Sequence, residues 1–267
     1  MAERAGRLDQ HAAVERDVLV RYLDAWTATA LRSQRGGTYV ECGGFAADAL
    51  RVFGEFSDRL ADHHLELVIV GSAVPAGVPA GLAVRVAEDP RDLGLTGPVL
   101  THLDGPEAWP LVAPMARGKG HEVLITAPAG THPEQGCSVE LVAEDGEARV
   151  LVFVTADVKH LATFKSELWA VDEFAGIRYR DPQDAEGTLV DISLTPQLLP
   201  LRRALLAELA RRGGCPVGEL QRFTLLETIY RPEDALGALT SAVTAGEITR
   251  DPDKGRLTPR TVVGLPG

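Results

Sequence analysis

The sequence predicts an α/β protein: a mostly parallel sheet with helices on both faces and an antiparallel hairpin at one edge, followed by a winged-helix-like C-terminal domain. Three observations carry this expectation. Short β-prone runs alternate with helical stretches through the first part of the chain, the pattern that builds parallel sheets. Two further runs, Ser138–Val142 and Ala148–Thr155, flank Glu144-Asp-Gly146, and Asp-Gly between strand-like runs signals a hairpin. Beyond the polar, turn-prone segment Asp181–Gly187 the pattern changes to three helices and a hairpin.

The elements are read in order. Val14, Val18, Tyr22 and Trp26 recur every four positions and predict one amphipathic helix over about Gln10–Gln34, ended by Gly36-Gly37. Thr38–Val40 is a short β-prone run. Leu50, Phe53, Phe56 and Leu60 share one face of a second helix, Ala47–His63, which His63-His64 closes. Leu65–Val70 is continuously apolar, as in a strand buried on both faces. Ala83–Val86, Val99–Leu103 and Glu122–Ala127 are further strands, and the stretches between them are rich in Pro and Gly. A helix over Val158–Val171 follows the hairpin. Asp181–Gly187 reads as a linker, giving domains 1–187 and 188–267. In the second, Leu198–Arg212, Val217–Thr228 and Pro232–Ala245 are helices, and Glu247–Val263 a hairpin turning at Asp251–Gly255.

Composition limits function. The 267 residues are 45% hydrophobic and 24% charged, enough apolar material for a packed core. A net charge of −11 repels phosphate and disfavours broad nucleic-acid or anionic-membrane binding, and 5% aromatics is poor material for a base-stacking platform. Cys42, Cys137 and Cys215 are odd in number, far apart and without a Cys-x-x-Cys pair, which reads as free thiols in a reducing compartment. No apolar signal core follows the charged Met1–Arg7 segment. The uncharged run Leu67–Val84 is broken by Pro75, Pro79, Gly71, Gly77 and Gly81 and reads as strand, loop, strand. The expectation is a cytoplasmic protein outside the membrane. Charge is uneven: residues 201–267 carry ten Arg/Lys against eight Asp/Glu, and the remainder 17 against 30.

Candidate sites follow from strand ends. The first strand runs into Glu41-Cys-Gly-Gly-Phe-Ala-Ala47, and nucleotide-type cofactors are held where a first parallel strand turns into a helix. Enzymes that use S-adenosylmethionine place an acid there, followed by glycines at alternate positions. Glu41 and Gly43 fit; Phe45 and Ala47 stand at the next two glycine places. A second register makes Gly43-Gly44 the turn, and a tight strand-to-helix turn without a ligand is the alternative to both. The second strand ends Val70-Gly71-Ser72, with no acid to hold a ribose. Glu88, Asp89 and Asp92 follow the third strand, where they would either meet an adenine amino group or form a solvated loop. After the fourth, His102 and Asp104 share a face at i, i+2. They would act as base and acceptor-orienting acid, contribute to a metal site that lacks a third ligand, or simply close the strand end. No Gly-x-Ser-x-Gly elbow, P-loop or His-Glu-x-x-His is present. The last predicted helix, Pro232–Ala245, has no Arg, Lys, Asn or Gln, so a major-groove reading role is disfavoured and docking on protein favoured. Arg250, Lys254, Arg256 and Arg260 sit on the wing.

Lys165-Ser-Glu-Leu-Trp-Ala-Val-Asp172, on a helix that follows a strand and a small polar turn, resembles the three-Cys-motif partner protein family. Tyr22-Leu-Asp-Ala-Trp26, Gly44-Phe-Ala46 and Leu103-Asp104-Gly105 resemble it as well, so the likeness is patchy but spans most of the chain. The resemblance implies a Rossmann-like, class I methyltransferase-type sheet, an S-adenosylmethionine site and a three-cysteine protein as partner. On that basis Glu41, Gly43, Gly44, Glu88 and Asp89 would hold the cofactor, and Asp104 and His102 would be catalytic. The departures at Phe45 and at the missing ribose acid point to a degenerate member acting as a partner or scaffold. An active methyltransferase and a winged-helix transcriptional regulator are the alternatives.

Overall fold

Helix α1 (Gln10–Ala30) opens the computed structural model, which describes residues 10–33, 36–131, 136–171 and 176–267. Its Val14, Val18, Tyr22 and Trp26 stripe is buried, as the four-residue spacing requires. Gln34 and Asp172 lie outside the described residues. The chain continues through β1 (Gly37–Glu41), α2 (Ala46–Gly54), the single turn α3 (Ser57–Leu60), β2 (Leu65–Val70), β3 (Ala83–Ala87) and β4 (Val99–Asp104). Next come α4 (Trp109–Met115), β5 (His121–Pro128), β6 (Cys137–Ala143), β7 (Ala148–Thr155), α5 (Val158–Trp169), β8 (Ile177–Arg180) and β9 (Leu189–Asp191). The remainder is α6 (Leu199–Arg212), β10 (Cys215–Pro216), α7 (Val217–Glu227), α8 (Asp234–Thr244), β11 (Thr249–Asp251) and β12 (Val262–Gly264).

Nine of these strands form one mixed sheet in the order β3-β2-β1-β4-β5-β7-β6-β8-β9. β3, β2, β1, β4 and β5 pair in parallel, and every pairing from β5·β7 onward is antiparallel. This is a Rossmann-like α/β arrangement. Alternating side chains divide the core between two faces. Tyr39, Leu67, Ile69, Leu100, Leu124 and Phe153 pack under α1, α2 and α5, and this cluster runs on without a break into α6, α7 and α8. Val40, Val68, Val99, Leu103, Val123 and Ile125 form a smaller cluster whose helical cover is α4.

Several expectations change in the structure. The second helix breaks after Gly54, and α3 ends at Leu60, so His63-His64 closes no helix; the His64 carbonyl instead accepts the Gly37 N–H at the start of β1. Asp181–Gly187 is not a linker between independent parts. It is the turn between β8 and β9, which pair antiparallel, so the sheet runs past residue 187. Ile177, Arg178, Tyr179 and Arg180 alternate buried and more exposed, a period-two signal that the polar segment beside them masks. The uncharged Leu67–Val84 run is β2, an irregular loop and the start of β3. Among the described residues no helix is long and apolar enough to cross a membrane.

The C-terminal elements α6, β10, α7, α8, β11 and β12 carry a three-stranded antiparallel sheet ordered β10-β12-β11. They are fastened to the large sheet through α5. Lys165 is fully buried, and its Nζ donates to the carbonyls of Thr224 at 3.1 Å, Leu225 at 2.5 Å and Thr228. These carbonyls lie at the end of α7, where a helix leaves acceptors without intrahelical donors and where a cation is favoured. Burial pushes the ammonium pKa down, opposed by Cys137, Asp181, Glu227 and Asp234. Trp169 Nε1 donates to the Ile229 carbonyl at 3.0 Å, and its ring stacks on Tyr230 at 5.5 Å and meets Tyr179 edge-on at 5.2 Å. From β8, Asp181 Oδ2 accepts the Ile229 N–H at 3.0 Å.

Candidate functional site at the carboxyl edge of the sheet

The parallel register of β1 and β4 sets Glu41 directly opposite His102. Both point to the α2 side, as do Tyr39 and Leu100 two residues earlier on their strands. Glu41 is 1% exposed and His102 3%. Four donors converge on the Glu41 carboxylate. Oε1 accepts the Gly43 N–H at 2.6 Å and the Phe45 N–H at 3.2 Å, Oε2 accepts the Tyr39 hydroxyl at 2.5 Å, and His102 Nδ1 lies 3.1 and 3.2 Å from the two oxygens. With the proton on Nδ1, the imidazole is the fourth donor. Burial pushes the Glu41 pKa up, but His102, the Tyr39 hydroxyl and the Phe45 N–H together outweigh it and hold the carboxyl below its usual value.

That lowered value has a pH consequence. A carboxylate whose pKa is depressed on folding contributes stability above its unfolded pKa and loses that contribution as pH falls through the folded value. Urea unfolding of the protein and of Glu41→Gln should therefore show a constant gap in midpoint at neutral pH. The gap should narrow as pH falls below about 4.5, the ordinary glutamate value. A gap that does not change with pH would show that the carboxylate charge contributes nothing.

The two glycines of the turn serve different ends. Gly44 has φ +90°, a conformation that favours glycine, and a Cβ built there meets nothing within 4 Å. Gly43 needs no unusual φ; its reason is steric. A Cβ there would lie 2.4 Å from His102 Cε1, 2.7 Å from Nδ1 and 3.0 Å from the Asp104 Cβ. The space beside Gly43 is thus filled by the protein's own imidazole, and the Phe45 ring stands edge-on to that imidazole at 5.0 Å.

The other expected residues fall into place around this cluster. Asp104 is exposed at the end of β4 on the His102 side, but the partner of His102 is Glu41, so the expected His102–Asp104 pairing is replaced by a cross-strand one. Glu88 is exposed after β3. Asp89 accepts the Arg91 N–H at 2.8 Å to start a 3-10 turn over Pro90–Asp92, and its hydrogen bonds with the Arg91 side chain and N–H draw its pKa down to about 2. Asp89 therefore already has a cation. Cys42 is pushed up to about 12 by burial, with Glu41 and Asp89 adding to it, so it is no thiolate nucleophile at neutral pH. β2 ends at Val70, and Gly71 and Ser72 follow without a carboxylate. Among the described residues no three His, Cys, Asp or Glu side chains are grouped to hold a metal.

These residues do not fit an S-adenosylmethionine site. The acid of the turn has its acceptors occupied by protein donors, the room next to Gly43 is occupied, and the ribose-holding acid is missing. The Glu41–His102 contact was beyond sequence reasoning because it depends on strand register. Tyr39 and Glu41, at i, i+2 in one strand, did carry a readable signal. A second buried acid, Glu122 on β5, was also missed; it accepts the Tyr22 hydroxyl at 2.5 Å and meets His160 Nδ1. The hydrogen bond to Glu122 raises the His160 pKa against the effect of burial. No family model matches the chain, and no curated protein matches it.

Proposed function

We propose that this chain is a methyltransferase-like protein of the three-Cys-motif partner type, acting as a partner or scaffold and not as a methyl-transfer catalyst. The strand order supports the first half of this reading, because five parallel strands followed by β7 inserted antiparallel before β6 is the class I methyltransferase arrangement. The observation that carries the second half is the self-satisfied turn, in which Glu41 binds Tyr39, Gly43, Phe45 and His102 while His102 and Phe45 take up the space beside the glycine. Calorimetric titration with S-adenosylmethionine and S-adenosylhomocysteine is expected to give no saturable binding tighter than about 10 μM. Tighter binding would establish an open site and favour the active methyltransferase, for which the exposed Asp104 beside Gly43 is the acceptor-orienting candidate.

For the C-terminal part, the element order together with the β10-β12-β11 sheet supports a winged-helix-like unit. The outward residues of α8 include Gly237, Thr240, Ser241 and Thr244, with Glu233 just before it. Such a face presents no cation to phosphate and no amide to base edges. The Arg250 guanidinium is spent on the carbonyls of Pro252 and Lys254. No sequence-specific DNA binding is expected. Anisotropy titration at about 150 mM salt would overturn this if one sequence were selected near 10⁻⁸ M, the range of specific binders.

A further inference from the structure

We propose that the amino edge of the sheet, at the opposite end of the strands from Glu41, holds a cavity that binds a small phosphate ester carrying hydroxyl groups, of nucleotide or sugar-phosphate size. The cavity measures about 590 Å³ and lies against the loop that connects α4 to β5. That volume is within the range of small-molecule sites, about 300–1,000 Å³.

The loop reads Arg117-Gly-Lys-Gly-His121, and all three basic side chains line the cavity. Among the described residues none of the three side chains forms an ion pair or hydrogen bond. By contrast, Arg85, Arg91, Arg180, Arg203 and Arg231 each meet a carboxylate. Two cations and an imidazole from five consecutive residues, lining one concavity without a direct ion pair, form a site for a compact anion. His121 is held in position, since a Cβ at Gly118 would lie 2.6 Å from three of its ring atoms, so the imidazole rests directly on that glycine.

The remaining lining selects the kind of anion. Asp157 lines the same cavity, and its Oδ1 accepts the Lys159 N–H at 2.8 Å and the His160 N–H at 3.4 Å at the start of α5. A carboxylate here opposes a bare polyanion and accepts from a hydroxyl or amino group, so the ligand should carry donors alongside its phosphate. An adjoining cavity of about 230 Å³ shares Leu95, Arg117 and His121 and passes Met115, which leaves room for an organic remainder beside the phosphate. This inference is independent of the reading of the carboxyl edge.

The test uses the full chain at low salt, titrated calorimetrically and by thermal shift with adenosine monophosphate, glucose 6-phosphate, inorganic pyrophosphate, adenosine and glucose. The two phosphate esters should bind saturably and raise Tm, and adenosine and glucose should not. Arg117→Ala/Lys119→Ala should weaken ester binding by about ten-fold or more. The Tm of that free variant should be unchanged, because both side chains are exposed. The proposal is overturned if neither ester shifts Tm at about 5 mM, or if the double variant keeps wild-type affinity. It is equally overturned if pyrophosphate binds as tightly as the esters, or if a single-stranded oligonucleotide binds more tightly than the mononucleotide.

Discussion

Replacing Trp169 with alanine is expected to destabilise the protein by about 3–5 kcal/mol, the range for deleting a buried large aromatic. For a chain of this size that lowers Tm by roughly 6–20 °C. Trp169 is fully buried, and it is where the large sheet meets the C-terminal helices: its ring is pressed between Tyr179 of β8 and Tyr230 beyond α7, and its Nε1–H satisfies the Ile229 carbonyl. Removing it opens a cavity and leaves a buried acceptor unpaired. Trp169→Phe separates the two effects. It keeps most of the packing and should cost about 1–3 kcal/mol for the buried acceptor left unpaired. Differential scanning calorimetry decides the matter, and a Tm for Trp169→Ala within a degree or so of wild type would place the ring's contribution elsewhere.

The second large effect is expected at Lys165. Lys165→Met keeps the length of the side chain but removes the donor shared by the Thr224, Leu225 and Thr228 carbonyls. Losing charge-assisted hydrogen bonds at a buried helix end should cost about 2–4 kcal/mol, reduced by the relief of no longer burying an ammonium. The loss should be local as well as global. Amide exchange of α7 and of residues 228–230 should accelerate more than that of β1 or β4, because the pin between α5 and α7 is what is removed. Equal acceleration throughout would mean that the C-terminal helices have no separate opening, and an unchanged midpoint in urea would refute the pin itself.

Both residues belong to Lys165–Asp172, the segment with the most distinctive pattern in the chain. The structure gives that pattern a physical reason: a cation and an indole, four residues apart on one helix, satisfy two successive acceptor groups at the end of another. The spacing was legible, but its target was not, since nothing local to residues 165–172 indicates that Thr224–Ile229 will lie above them. The turn after β1 shows the same division. Gly44 could be anticipated from turn chemistry, whereas Gly43 owes its identity to an imidazole 59 residues away in the sequence. A strand end at Asp104 was readable, but the partner of His102 was not.

Local patterning sets the period of the longer elements. Spacing of four along α1, continuous apolar runs in β2, the Asp-Gly hairpin of β6 and β7 and the three C-terminal helices all follow from local steric preference and from which side of a helix or strand is apolar. The strand order, the antiparallel edge continued by β8 and β9, the closing of the Glu41 turn by His102 and Phe45, and the pairing of Lys165 with the end of α7 arise only once the elements are assembled. The reason is that periodicity records which face of an element is buried and not what buries it. Register and order are chosen by the whole set of elements at once, and a carboxylate is open or occupied according to which neighbouring strand that choice sets beside it.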